Sequence, residues 1–183
     1  MAILKNKNFL LKNGKQLIIR SAEVIDADNF LKLGCSIISE EIYSLTHISE
    51  FNITIEQEMD WIKSNIENPN HLILVAELDN QIIGQLNFCN GLKRRIAHAG
   101  EFGMGVHKDF RGLGIGGLLL KTLIDWCKSH PLIEKINLNV HNNNNRAIAL
   151  YEKHGFLKEG IRVKDLKYSN NEYIDTLIMG LIL

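Results

Sequence analysis

The sequence predicts one mixed α/β domain of the α+β kind, with a central mixed, mostly antiparallel sheet flanked by helices. Three observations carry this expectation. Two apolar runs at residues 71–78 and 81–88 are joined by Asp79-Asn80, a pair suited to a tight hairpin turn. Downstream, strand alternation and helical periodicity take turns in the order strand–helix–strand–helix–strand. The 183 residues carry no linker and no internal repeat, and single domains commonly run to ~200 residues.

Element by element, residues 16–20 read as a short strand. Ser21 is placed to cap a helix running from about Val24 to Ile38. Thr54 and Gln57 make a capping-box pair that opens a second helix. Ile55, Met59, Ile62 and Ile66 recur there at helical spacing, and Asn68-Pro69 stops it. The hairpin follows, then a loop at 91–95 and a third strand over about 97–106. Ile115, Leu118, Leu119, Leu123, Trp126 and Cys127 form one apolar helix face ahead of Pro131. Ile136, Leu138 and Val140 alternate with asparagines, which makes residues 135–141 a strand. After the asparagines 142–145, Ala147, Leu150, Tyr151 and His154 share the face of a short helix closed by Gly155. Residues 173–183 form a last strand.

Composition excludes several functions. Lysine plus arginine and aspartate plus glutamate both number 21, so the net charge is zero. That balance gives no electrostatic reason to bind nucleic acid or an anionic membrane. Lys93, Arg94 and Arg95 read as a solvated loop. Cys35, Cys89 and Cys127 lie far apart in apolar stretches, which suits buried reduced thiols and a reducing compartment. No apolar run at the N-terminus serves as a signal peptide, and none reaches the ~20 residues that span a membrane. The expected location is therefore cytoplasmic. The seven histidines show no H-E-x-x-H pattern, so no metal is expected. No G-x-S-x-G elbow marks a serine hydrolase.

The chemistry concentrates between Glu101 and Gly117. A strand enters Arg111, Gly112, Leu113, Gly114, Ile115, Gly116 and Gly117, and an amphipathic helix follows directly. Glycines let a backbone approach a ligand and adopt φ > 0. The helix start adds unpaired N–H groups and partial positive charge. Together they suit a phosphate. Gly112, Gly114 and Gly117 also match the dinucleotide fingerprint G-x-G-x-x-G. That reading needs an acidic residue after the next strand, but Glu134 precedes it. A P-loop fails because no lysine follows the glycines.

These residues resemble those of the GNAT superfamily of N-acetyltransferases. Arg111 to Gly116 is similar to the family's acyl-CoA pyrophosphate loop. The run from Asn144 through Ala147, Leu150 and Tyr151 to Gly155 and Phe156 is similar to its second signature, N-x-x-A-x-x-L-Y-x-x-x-G-F. Glu101 to Val106 resembles the strand beside the pantetheine arm. The likeness covers the chain from about residue 72 to its end. It implies a GNAT-like sheet and acetyl-CoA as co-substrate. It further implies that Met104 and Val106, with Gly105 between them, pair through their backbone with the pantetheine. The amides of Arg111 to Gly117 would hold the pyrophosphate, Asn144 would contact the coenzyme, and Tyr151 would face its sulfur.

Acetyl transfer requires a neutral amine, a stabilised oxyanion and a protonated leaving thiolate. Tyr151 is either the acid for that thiolate or a core aromatic on an amphipathic helix. The Met104 amide is the first candidate for the oxyanion. Glu101 is either the base, directly or through water, or a strand-edge carboxylate in a salt bridge. His107 and His141 lie near this segment but read as surface histidines. Glu40, Glu41 and Tyr43 either line an amine pocket or are plain loop residues, and so do Asp165, Glu172 and Asp175. The resemblance implies a small-molecule amine or a protein N-terminus as acceptor, attacked directly in a ternary complex. A homodimer is compatible with the family. The competing reading is a non-catalytic acyl-CoA-binding module on the same fold.

Overall fold

The computed structural model describes residues 4–169 and 171–183. In chain order the elements are β1 (Lys7–Leu10), β2 (Gln16–Ser21), α1 (Ala27–Ile38), α2 (Ile55–Glu67), β3 (Leu72–Leu78), β4 (Gln81–Asn90), β5 (Ala99–Val106), α3 (Ile115–Ser129), β6 (Lys135–His141), α4 (Asn145–Lys153), β7 (Leu157–Ser169) and β8 (Glu172–Ile182). Single 3-10 turns occupy Val24–Asp26, Ile48–Glu50 and Lys108–Phe110. The sheet has eight strands in the order β1-β2-β3-β4-β5-β6-β8-β7. Every ladder described is antiparallel except β5 with β6. Among the described residues no helix is long and apolar enough to cross a membrane.

Backbone contacts group the chain into two compact units, Met1–Cys89 with Gly103–Leu123, and Asn90–Phe102 with Ile124–Leu183. In the first, Leu17 and Ile19 of β2 are buried at alternate positions, and β3 is buried almost throughout. A strand that reads as a continuous apolar run is covered on both faces. Ala27, Phe30 and Leu33 of α1 join Ile62 of α2 and Ile73 and Val75 of β3 in one cluster. The hairpin between β3 and β4 turns at Asp79 and Asn80 with φ of 51° and 63°. That is the left-handed pair a two-residue hairpin requires, and these are residue types that tolerate it.

The first helical segment starts at Val24 as expected, but its cap differs from expectation. Ser21 ends β2, and its hydroxyl accepts from the Leu4 amide. The cap is Glu23, whose amide is held in return by Asp26. Asp26 is only 5 % exposed and is paired with Arg20, at 2.7 Å from Nη1 and 2.9 Å from Nη2. Arg20 also reaches Glu77 at 2.8 Å. The expected cap on α2 is present, with Thr54 and Gln57 bonding reciprocally. Its buried stripe is only partly the expected one: Ile62 is buried and Ile66 packs on the core, but Ile55 and Met59 are exposed while Glu58 and Asn65 are buried. Asn65 is tolerated there because its side chain donates to Trp61 O and accepts from His71 and the Cys89 thiol.

In the second unit, β6 pairs antiparallel with β8 and sets Ile136, Leu138 and Val140 opposite Leu181, Met179 and Leu177. β7 pairs with β8 and carries register shifts at Lys158/Gly160, Arg162/Leu166 and Lys167/Ser169. Gly155 closes α4 with φ +90°, as expected for a glycine after a helix end. Cys127 is buried and Cys89 half-buried, but Cys35 is exposed, against the expectation for all three. It lies on α1, where Phe30 and Leu33 turn inward instead.

Candidate active site

The phosphate-type loop belongs to the first unit. β5 ends at Val106, the 3-10 turn Lys108–Phe110 follows, and the glycine segment leads into α3. Gly112 and Gly114 both have φ +86°. A Cβ at either would meet no atom within 4 Å, so these glycines are needed for conformation and the space above them is open. Buried Ile115 anchors the start of α3, and the Leu118 amide bonds to Gly114 O at 3.1 Å. Gly116 and Gly117 fall in the first turn, where N–H groups have no acceptor within the helix. The open glycine backbone and this turn suit an anion such as a pyrophosphate.

Arg111 is turned inward instead. Its amide bonds to Lys108 O at 3.3 Å and its Nε to Val106 O at 2.9 Å. Its guanidinium grips both oxygens of Glu40, at 2.7 and 2.5 Å. Of the expected pyrophosphate donors, Arg111 therefore already has protein partners. Met104, Gly105 and Val106 are half-buried. A Cβ at Gly105 would come 2.5 Å from Cδ1 of Ile37, so α1 covers this strand closely.

Glu101, Asn144 and Tyr151 belong to the second unit. The parallel ladder of β5 with β6 covers Ala99 to Glu101. Phe102 is buried and Glu101 exposed, so the two leave opposite faces of β5. Phe102 meets the Tyr151 ring edge-on at 5.7 Å between centroids, and Phe156 lies 5.9 Å from both. This aromatic cluster buries Tyr151 to 8 % exposure. Burial pushes its pKa up to about 12, so it holds its proton throughout the neutral range.

Glu101 accepts a short hydrogen bond from Asn139 Nδ2. Asn139 Oδ1 accepts from Arg162 at 2.9 Å, and Arg162 also holds Asp165 at 3.0 Å. Glu101 thus stands at one end of a polar chain. Asn144 is the N-cap of α4 and accepts from the Ala147 amide at 3.2 Å, which leaves its side-chain NH₂ as a donor.

The remaining candidates have local work. His141 is buried, contrary to the surface reading, and its Nδ1 lies 3.2 Å from the Tyr168 hydroxyl. His107 caps the Lys108–Phe110 turn. Glu41 lies 3.3 Å from His47, and Tyr43 is exposed. Glu172 accepts from Ser169, and Asp175 from the Lys164 amide. The grip of Glu40 on Arg111 spans 71 residues of sequence, and no local pattern announces it.

Comparison with known proteins shows the family and the fold. The profile of the Acetyltransferase (GNAT) family matches residues 39–156. The chain is 26% identical over 165 residues to an L-amino acid N-acetyltransferase of Escherichia coli (strain K12), covering 90% of this chain and 97% of that one. The crystal structure of a GNAT-family acetyltransferase from Streptococcus pneumoniae superposes with TM-score 0.88 at 26% identity, covering 91% and 99% of the two chains. A Salmonella typhimurium structure described as an acetyltransferase with its cofactor acetyl-CoA superposes with TM-score 0.80 at 18% identity, covering 91% and 93%.

Proposed function

The chain belongs to the Acetyltransferase (GNAT) family and is an acetyl-CoA-dependent acyltransferase, and we propose that its acceptor is a primary amine that attacks the thioester directly in a ternary complex. The amine is that of a small molecule or a protein N-terminus, and the α-amine of an amino acid is the first choice, after the name of the Escherichia coli relative. The backbone of Gly112 to Gly117 holds the pyrophosphate, supported by the open, left-handed glycines. Met104 and Val106 offer their backbone to the pantetheine, with the Met104 amide aimed at the developing oxyanion. Asn144 contributes its remaining NH₂ to the coenzyme.

Tyr151 protonates the departing thiolate, and its buried, proton-holding hydroxyl is the observation that carries this assignment. Transfer from a hydroxyl near 12 to a thiolate of ordinary pKa ~8.5 is uphill in water. A dry site raises the thiol as well, as it does for the buried Cys127 thiol, pushed up to about 12. Desolvation of both groups brings them back toward a match. A protein N-terminal α-amine has pKa ~8, so roughly a tenth is neutral at pH 7, whereas the α-amine of a free amino acid lies beside its own carboxylate, is more basic, and needs more help from a base. Glu101, exposed and held by Asn139, supplies that help through water.

The test is thiol release from acetyl-CoA in the presence of L-amino acids, N-terminal peptides, polyamines and lysine side-chain mimics. Release with α-amines, and product acetylated at the α-nitrogen, is expected. Tight binding of acetyl-CoA with no release from any amine would instead make the protein a binding module.

A further inference from the structure

Glu40 sits two residues beyond α1, and its carboxylate takes both terminal nitrogens of Arg111 at 2.7 and 2.5 Å. The pair is largely shielded, with side-chain exposures of 17 % for Glu40 and 32 % for Arg111. The third arm of the same guanidinium, Nε, holds the last carbonyl of β5 at 2.9 Å. One side chain therefore joins the end of α1, the end of β5 and the first residue of the glycine loop. A second contact runs parallel to it, since Ile37, on the last turn of α1, lies over Gly105. The next residue, Gly112, leaves the ordinary backbone region at φ +86°, in open space. A Cβ at Gly112 or Gly114 would meet nothing within 4 Å, so the loop is fixed by its neighbours: Leu113 is half-buried, the Leu118 amide holds Gly114 O, and side chains at the ends of the loop hold it too. Ile115 does so at the far end, buried to 1 % exposure. Arg111 does so at the near end.

We propose that Glu40 is a positioning residue for acetyl-CoA: it locks Arg111 inward and thereby presets the glycine loop for the pyrophosphate. This rests on the reading that Gly112 to Gly117 take the pyrophosphate. It also gives Arg111 a role other than phosphate ligand. A bidentate carboxylate fixes both the position and the plane of a guanidinium, which a single acceptor does not. Without it, Arg111 keeps one carbonyl and the loop start is free to wander. The coenzyme must then order the loop as it binds, and affinity falls by that ordering cost.

The test compares wild type, Glu40→Gln and Glu40→Asp with two acyl donors, acetyl-CoA and acetyl-pantetheine, which lacks the pyrophosphate. Glu40→Gln keeps the shape and loses the charge. The expected result is a rise of roughly tenfold in the acetyl-CoA Kd and KM, about one charge-assisted hydrogen bond, with kcat at saturation nearly unchanged. Glu40→Asp recovers part of the loss. With acetyl-pantetheine the variants and wild type should show equal kcat/KM. Equal losses with both donors would mean that Glu40 only supports the fold, and would overturn the proposal. Tighter binding of acetyl-CoA by Glu40→Gln would overturn it too, because Arg111 would then be a phosphate cation held in check. Wild type that binds neither acetyl-CoA nor CoA would instead remove the pyrophosphate-loop reading itself.

Discussion

At Tyr151, burial costs the ionised form far more than the neutral one. Folding therefore raises the hydroxyl from 10 to about 12, through desolvation against Phe102 and Phe156. Below pH 10 both folded and unfolded chains keep the proton. Between pH 10 and 12 only the folded chain does. Stability present below pH 10 is therefore lost as pH rises toward 12, on the order of 2–3 kcal/mol. Tyr151→Phe has no proton to lose there. Denaturation at pH 9 and at pH 11.5 should show wild type falling further than the variant, while parallel falls would contradict the burial of the hydroxyl. The motif position of Tyr151 was legible from its neighbours in sequence. Its dry surroundings were not, because Phe102 arrives from a strand about 50 residues earlier. The inward turn of Arg111 was hidden for the same reason.

Elements with strong local signals match their sequence readings closely. β6 covers Lys135–His141 as its alternation predicts, and the Asp79-Asn80 turn and the Thr54–Gln57 box stand where their residue types place them. The misses have physical causes. β1 is a four-residue edge strand with only Phe9 and Leu10 apolar. β7 is exposed along most of its length and paired with β8, so it carries no core periodicity. Ser21 is a good cap by type, but the segment that starts at Val24 is capped by Glu23, whose amide Asp26 holds while pairing with Arg20. That pair also bears weight in the unit that holds the glycine loop. Asp26 raises the Arg20 pKa, first through its hydrogen bond. Arg20→Met would leave Asp26 buried without its cation, and a stripped buried charge costs about 3–5 kcal/mol. Urea unfolding of this variant should show a loss of that size, and a loss below about 1 kcal/mol would mean the pair is ornamental.

Across the whole molecule, the α+β class and the order of its later elements followed from periodicity and turn chemistry, because those are local. The strand order and the β6–β8 pairing needed the folded chain, since they join distant residues. The proposed chemistry gives the glycine loop the coenzyme's pyrophosphate and gives Tyr151 the proton for its thiolate. The most direct test is steady-state turnover of Tyr151→Phe with an accepted amine, beside a direct titration of acetyl-CoA. The account predicts a kcat lower by ~10²–10⁴-fold, the usual worth of a general acid, with the acetyl-CoA Kd unchanged. An unchanged kcat would contradict it and leave Tyr151 as a core aromatic.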